Sequence, residues 1–310
     1  MSEKILFVFS DPGGAKPMLA LASNYRKEDI LIISDRSYAF FKDFGLDVIR
    51  LSSKVFEIID RFSPARIITG TSYSSDIEKR FIAAAKERRI PVASFVDHWT
   101  SFMTRFSVGN GYTFPDEIWV LDERAAQLGI EEGLPAGLIR ITGNPYHKYI
   151  TSWKPSIKRE ELSAVFGIDI RSSKPYIIYA PDPLSNVNGI DKFGFDELSA
   201  TRELNKLISG ISEFNFIFKP HPNQDINRIE SLFGKKWMTV SAQADSNTLI
   251  YYSAGVIGFF SSFLIEASLM GKNVYRFLGP RTKYDPLKEM DLGQVVDSEQ
   301  LVEILQNGNQ

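Results

Sequence analysis

Short apolar runs of strand length recur along this chain, and helix-length amphipathic segments separate them. Ile5-Leu6-Phe7-Val8-Phe9 is apolar at every position, so both of its faces have to be covered. A strand buried on both faces belongs to a parallel sheet, because the crossovers between parallel strands lay helices over it. The same signal predicts strands near residues 4–10, 30–34, 46–51, 66–70, 91–96, 116–121 and 138–142. Between them lie segments with helical spacing, such as Ile77, Phe81, Ala84 and Ala85. The pattern pauses over residues 145–174, which hold Pro145, Trp153, Pro155 and the charged run Lys158-Arg159-Glu160-Glu161. It restarts at Tyr176-Ile177-Ile178-Tyr179-Ala180, with further strands near 214–218, 237–240, 255–260 and 273–277 and helices over 196–212, 246–253 and 262–270. Strand–helix alternation of this kind builds βαβ units. The expected fold is therefore α/β: two Rossmann-like doubly wound domains, residues 1–150 and 151–310, facing a cleft, with ligands at the carboxyl ends of the strands.

Composition removes several function classes. The chain has no cysteine, which excludes disulfides, thiolate metal sites and cysteine nucleophiles. Lys and Arg number 36 against 38 Asp and Glu, and no basic run stands out, so nucleic acid is not an expected partner. No apolar stretch approaches the ~20 residues of a membrane span, and the run at 4–10 is too short for a signal-peptide core. A cytoplasmic protein is the expectation. No Asp-x-Asp motif occurs, and the three histidines stand apart at 98, 147 and 221. No metal and no cofactor are expected.

Five segments carry candidate chemistry. Ser10-Asp11-Pro12-Gly13-Gly14 follows the first strand, where Gly13 and Gly14 let backbone approach a ligand and the next helix favours anions. Asp97-His98 ends another strand of the first domain, and either residue could take a proton as general base. Arg105 follows as a candidate holder of an anionic acceptor; Trp99, Phe102 and Arg105 could also approach a membrane-bound acceptor, with core packing as the competing use. Gly143-Asn144-Pro145 turns the chain into the pause, placing Asn144 beside the expected cleft. Lys219-Pro220-His221-Pro222-Asn223 holds a histidine in a proline-stiffened segment, which suits a group that meets a ligand without ordering cost. Finally, Ser261 and Ser262 stand where a buried strand gives way to a helix, a position that either caps the helix or cradles phosphate. Glu266 lies one turn further in.

Taken in order, Gly-Asn-Pro, then His-Pro, then Ser-Ser-x-x-x-Glu-Ala-x-x-x-Gly resembles the GT-B glycosyltransferase superfamily. More narrowly it is similar to bacterial surface-polysaccharide enzymes: sialyl- and polysialyltransferases, Kdo transferases and CDP-glycerol glycerophosphotransferases. The resemblance implies that His221, Ser261 and Ser262 contact the nucleotide phosphates, with Lys219 beside them, and that Glu266 meets the ribose. It places an acidic or histidine base at Asp97 or His98. Glu131-Glu132-Gly133 has the spelling of the sialyltransferase base motif but falls in a helix-to-turn segment away from the expected site. The implied activity is metal-independent transfer of a sugar from a CMP-, CDP- or UDP-linked donor to a glycan or lipid-linked acceptor in polysaccharide biosynthesis, with peripheral membrane association allowed. In that reading the first domain takes the acceptor and the second the donor. UDP-GlcNAc 2-epimerases share the fold and a His-Pro-Asn segment, and are the alternative; they carry Ser-Gly-Gly where this chain has Ser261-Ser262-Phe263. A non-catalytic nucleotide-sugar-binding protein is the third reading.

Overall fold

The structure is a computed structural model that describes residues 3–51, 54–170, 174–279 and 282–307. The chain forms two compact units, Met1–Tyr149 and Ile150–Gln310.

In the first unit the strands are β1 (Ile5–Phe9), β2 (Ile30–Ser34), β3 (Val48–Arg50), β4 (Arg66–Thr69), β5 (Val92–Phe95), the short β6 (Ser107–Val108) and β7 (Gly111–Tyr112), then β8 (Glu117–Val120) and β9 (Ile139–Ile141). Helices α1 (Pro12–Ala22), α2 (Val55–Phe62), α3 (Ile77–Arg88), α4 (Glu123–Glu132) and α5 (Pro145–Ser152) alternate with them. Seven strands form one parallel sheet in the order β3-β2-β1-β4-β5-β8-β9, and β6 and β7 make a separate antiparallel hairpin. Burial follows sheet position: every residue of β1 is buried at the centre, whereas the edge strands β3 and β9 are largely exposed. That gradient explains why the central strands read as unbroken apolar runs.

The second unit repeats the plan with β10 (Tyr176–Ala180), β11 (Asn215–Phe218), β12 (Trp237–Thr239), β13 (Gly255–Gly258), β14 (Asn273–Phe277) and β15 (Gln294–Val296). Its helices are α6 (Leu162–Phe166), α7 (Gly189–Phe193), α8 (Glu197–Ile208), α9 (Ile226–Glu230), α10 (Ser246–Tyr252), α11 (Ser262–Leu269) and α12 (Ser298–Asn307). The six strands are parallel in the order β12-β11-β10-β13-β14-β15. Buried residues of β10, β11 and β13 pack with Leu198, Leu204 and Ile208 of α8 and with Leu301 and Leu305 of α12 into its core.

In both sheets the chain starts at a central strand, builds outward on one side, then returns to build on the other. The strand order therefore reverses at β1/β4 in one unit and at β10/β13 in the other. Loops leaving the carboxyl ends of such a pair diverge and open a crevice, the usual ligand position of an open α/β sheet. Among the described residues no helix is long and apolar enough to cross a membrane.

Candidate functional site

In the first unit, glycine brings the α1 end of the crevice close to β4. Gly14 and Gly70 face each other so tightly that a Cβ on Gly70 would stand 2.9 Å from the Gly14 Cα. Its neighbour Gly13 makes room for a side chain instead: a Cβ there would fall 1.8 Å from Oδ2 of Asp97. The first turn of α1 thus already faces an anion, the Asp97 carboxylate. Such placement of a negative charge at a helix N-terminus is favourable.

The other oxygen of Asp97 is held from the side. Arg105 Nη1–H donates to Asp97 Oδ1 at 2.7 Å and to Thr71 Oγ1 at 2.9 Å, and the guanidinium lies 4.6 Å from the Tyr73 ring centroid. Arg105 is 4% exposed, and its Nε–H is buried with no protein partner. Arg105 therefore braces Asp97 from within, rather than reaching out to an acceptor. Phe102 is fully buried, and Trp99 is partly buried with its Nε1–H donating to Asp122. For Trp99, Phe102 and Arg105 the structure shows core packing.

His98 is exposed at the same edge. Its Nδ1 lies 3.0 Å from Thr100 Oγ1, and its ring meets Trp99 edge-on. Although the residue reaches solvent, protein crowds the ring, and that loss of hydration lowers its pKa, with Asp97 opposing and Arg105 adding to the shift. Below this edge lies Glu78, 3% exposed, which the sequence reading passed over. It accepts from the Ser10 N–H at 3.0 Å and from Ser72 Oγ–H at 2.7 Å, tying the loops after β1 and β4 together. Burial pushes its pKa up to about 7. Asn144 serves locally: its Oδ1 accepts the Tyr146 N–H at 2.9 Å at the start of α5. Glu131-Glu132-Gly133 closes α4, with Gly133 at φ 115°.

In the second unit three loops are stitched to one edge. Asp182, two residues after β10, accepts the N–H of Phe260 at 2.9 Å. Gln224 Oε1 accepts the His221 N–H at 3.0 Å, and Gln224 Nε2–H reaches the Pro181 carbonyl at 3.4 Å. The His221 loop and the Ser261 loop are thereby both moored to the loop after β10. Part of Asp182 reaches the surface, yet its carboxyl group is enclosed by protein, and this burial raises its pKa to about 6 against the hydrogen bond from the Phe260 N–H.

The tautomer of His221 follows from its contacts. Nδ1 accepts the Asn223 N–H at 3.1 Å, so in the neutral ring the proton sits on Nε2, leaving that edge a donor. Burial, then the charge of Lys219, lowers the pKa of the ring. Lys219 itself is buried, with Nζ donating to the carbonyls of Ala242 at 2.7 Å and Pro220 at 3.3 Å. It braces the loop more than it presents a charge. At the start of α11, Ser261 is the N-cap by backbone geometry but makes no side-chain cap, and its Oγ is buried without a partner. Ser262 is exposed in the first turn, and Glu266 is buried on the inner face. Ser261 and His221 thus stand in two loops tied to the same loop after β10, one with an unpartnered hydroxyl at a helix start and the other with a ring N–H donor.

Among the described residues no cluster of three or more His, Asp or Glu side chains could hold a metal ion. The sequence reading also missed Asp182, Glu78, Thr71 and Gln224. Asp182 alone left a sequence signal: Asp-Pro follows the first strand of each unit, at Asp11-Pro12 and at Asp182-Pro183.

Two parallel-sheet Rossmann-like units define a GT-B-like fold, in agreement with the fold the sequence resemblance implied. No family model matches the chain, and no curated protein matches it. Solved structures do. The UDP-GlcNAc 2-epimerase of Neisseria meningitidis bound to UDP-GlcNAc aligns with a TM-score of 0.67 at 14% identity, over 99% of this chain and 90% of that one. A putative UDP-N-acetylglucosamine 2-epimerase of Listeria monocytogenes aligns with a TM-score of 0.69 at 13% identity, over 99% and 88%. The Anabaena protein HepE in complex with UDP and glucose aligns with a TM-score of 0.63 at 16% identity, over 99% and 89%. At these identities the likeness is one of fold. The sequence motifs pointed first to glycosyltransferases, whereas 2-epimerases recur among these neighbours.

Proposed function

We propose that this chain is a nucleotide-sugar enzyme that breaks the bond between the anomeric carbon and a nucleoside diphosphate, acting on UDP-GlcNAc or a close relative as a 2-epimerase. One observation carries the reading: the buried, unpartnered Ser261 hydroxyl at the start of α11, in a loop tied, like that of His221, to the loop after β10. Ser261, Ser262 and the Nε2–H of His221 take the diphosphate oxygens, where negative charge grows as the bond breaks. Glu266, buried on α11, takes the ribose side. In the first unit, Asp97 and His98 supply the group that moves a proton. The recurrence of UDP-GlcNAc 2-epimerases among the structural neighbours supports UDP as the nucleotide.

Inverting C2 requires the C2–H bond to break. A base takes that proton, the C–H electron pair forms C1=C2, and the C1–O bond breaks with UDP as leaving group. Delivery of a proton from solvent to the opposite face and re-addition of the diphosphate oxygen at C1 restore a UDP-sugar with C2 inverted. Nothing is oxidised, and no external reactant is needed.

Glycosyl transfer to a glycan or lipid-linked acceptor is the second reading. Ser261-Ser262-Phe263 favours it, because it stands where the epimerases carry Ser-Gly-Gly. The two readings separate in deuterated water with UDP-GlcNAc and no acceptor. An epimerase yields the C2 epimer with deuterium at C2; a transferase leaves C2 protonated and needs an acceptor before UDP appears. UDP-GlcNAc recovered unchanged, with no epimer and no deuterium, would overturn the epimerase reading.

A further inference from the structure

Within the proposed function, on which this step rests, Asp97 and His98 are both within reach of the role of base. We infer that His98 moves the proton and that Asp97 remains a fixed anion, held by Arg105 and the start of α1.

The argument begins with what Asp97 would lose by accepting a proton. Its Oδ1 is the only carboxylate contact among the described residues for Arg105, whose side chain is 3% exposed. A neutral Asp97 would leave that guanidinium buried and uncompensated, and removing one partner of such a pair is strongly unfavourable. Its Oδ2 is packed against Gly13, with no room for a residue larger than glycine beneath it. Neither oxygen is placed to come and go with a proton.

His98 has the opposite character. The residue reaches solvent although protein crowds the ring, and Nδ1 is occupied by Thr100 Oγ1 at 3.0 Å. In the tautomer where Nδ1–H donates to Thr100 Oγ1, the ring lone pair is on Nε2. The charged groups acting on the ring are Asp97, which favours the protonated form, and Arg105, which disfavours it. Crowding by protein is the largest influence and lowers the pKa of the ring, which favours the neutral imidazole, the state a base requires. Trp99 fixes the ring edge-on, and Trp99 is itself anchored on Asp122. Asp97 and Thr100 are then positioning residues, and His98 the catalytic one.

The test compares pH profiles of kcat for wild type, His98→Gln and Asp97→Asn with UDP-GlcNAc, alongside the thermal shift given by UDP. The expected result is a kcat loss of ~10²–10⁴-fold in His98→Gln, the range of general base catalysis, with the acid limb abolished. KM and the UDP shift stay near wild type. Asp97→Asn melts lower and turns over slowly, but its acid limb stays in place. If instead His98→Gln keeps its kcat and acid limb while Asp97→Asn loses that limb, Asp97 is the base and the inference is wrong. A wild type that binds UDP but neither epimerises UDP-GlcNAc nor transfers its sugar overturns the proposed function and this assignment with it.

Discussion

Replacing His221 with alanine isolates one donor at the proposed phosphate site. The backbone N–H of His221 keeps its bond to Gln224 in the variant, so the loop stays moored. The Asn223 N–H loses its acceptor, but Asn223 is exposed and water replaces the ring. What disappears is the Nε2–H donor to a charged phosphate oxygen, worth about 1.5–3 kcal/mol. UDP binding should therefore weaken by about 10- to 150-fold. At a UDP concentration about 100 times the wild-type Kd, ligand stabilisation should fall from about 2.7 kcal/mol to about 0.3–1.4 kcal/mol. Isothermal titration calorimetry gives the first number and thermal unfolding with and without UDP the second. The pH dependence has a fixed sign. Because the folded pKa of His221 is lowered, the unfolded chain takes up the proton first, so stability is fully present above the ordinary histidine value of about 6.5 and is lost as pH falls below it. His221→Ala should flatten that limb. An alanine variant that binds UDP within twofold of wild type would refute the phosphate role.

Three further outcomes follow from the same geometry. Ser261→Ala removes a buried hydroxyl that has no protein partner, so the free protein should gain about 1 kcal/mol in thermal unfolding while the UDP-induced shift shrinks; a loss of stability would mean the hydroxyl is a cap after all. Gly13→Ala places a methyl group 1.8 Å from Asp97 Oδ2 and should cost about 1–3 kcal/mol by overpacking, read by urea unfolding, with turnover falling along with the Asp97–Arg105 pair. Glu78 binds a proton more tightly folded than unfolded, so its contribution is present below about pH 4.5 and is lost as pH rises through about 7. Over that span the loss is about 3 kcal/mol, and Glu78→Gln should melt higher than wild type at pH 8 and show a flatter stability profile.

The central strands were legible because each is apolar on both faces, and a two-sided signal survives in five residues. The edges were not. β15 is three residues long with two exposed, which no periodicity can distinguish from a loop, and the β6–β7 hairpin has two residues a side. The strand expected over 255–260 stops at Gly258, because Phe259 and Phe260 leave the sheet. They pack instead on Phe195 and Phe193, an aromatic use that hydrophobicity alone cannot separate from a strand. In the site, Gly13, Asp97, Arg105, His221 and Ser261 each stood out by residue type. Their pairing did not. Arg105 reaches back to Asp97 across an intervening turn, and Lys219 is turned inward to the Ala242 carbonyl, facts of three-dimensional closure that spacing does not encode.

The two units solve one mechanical problem in the same way, and that accounts for how the site was partly readable. A crevice at the point of strand reversal leaves two loops diverging, and something must hold them at a fixed separation. In the first unit Asp11, next to the end of β1, accepts the Tyr73 N–H at 2.9 Å and Ser74 Oγ–H at 2.5 Å from the loop after β4. In the second, Asp182, next to the end of β10, accepts the Phe260 N–H from the loop after β13. Each carboxylate spans the reversal from the first strand to the strand across it, and each is followed by proline, which fixes the exit direction. What differs is the group that each helix start faces. In the first unit the start of α1 already faces the Asp97 carboxylate. In the second, the described residues place Asp182 on the backbone before α11, and the Ser261 hydroxyl has no partner there. Each unit thus keeps a buried hydroxyl without a partner ahead of a helix start, Ser10 Oγ before α1 and Ser261 Oγ before α11, and the proposed function puts the diphosphate at the second.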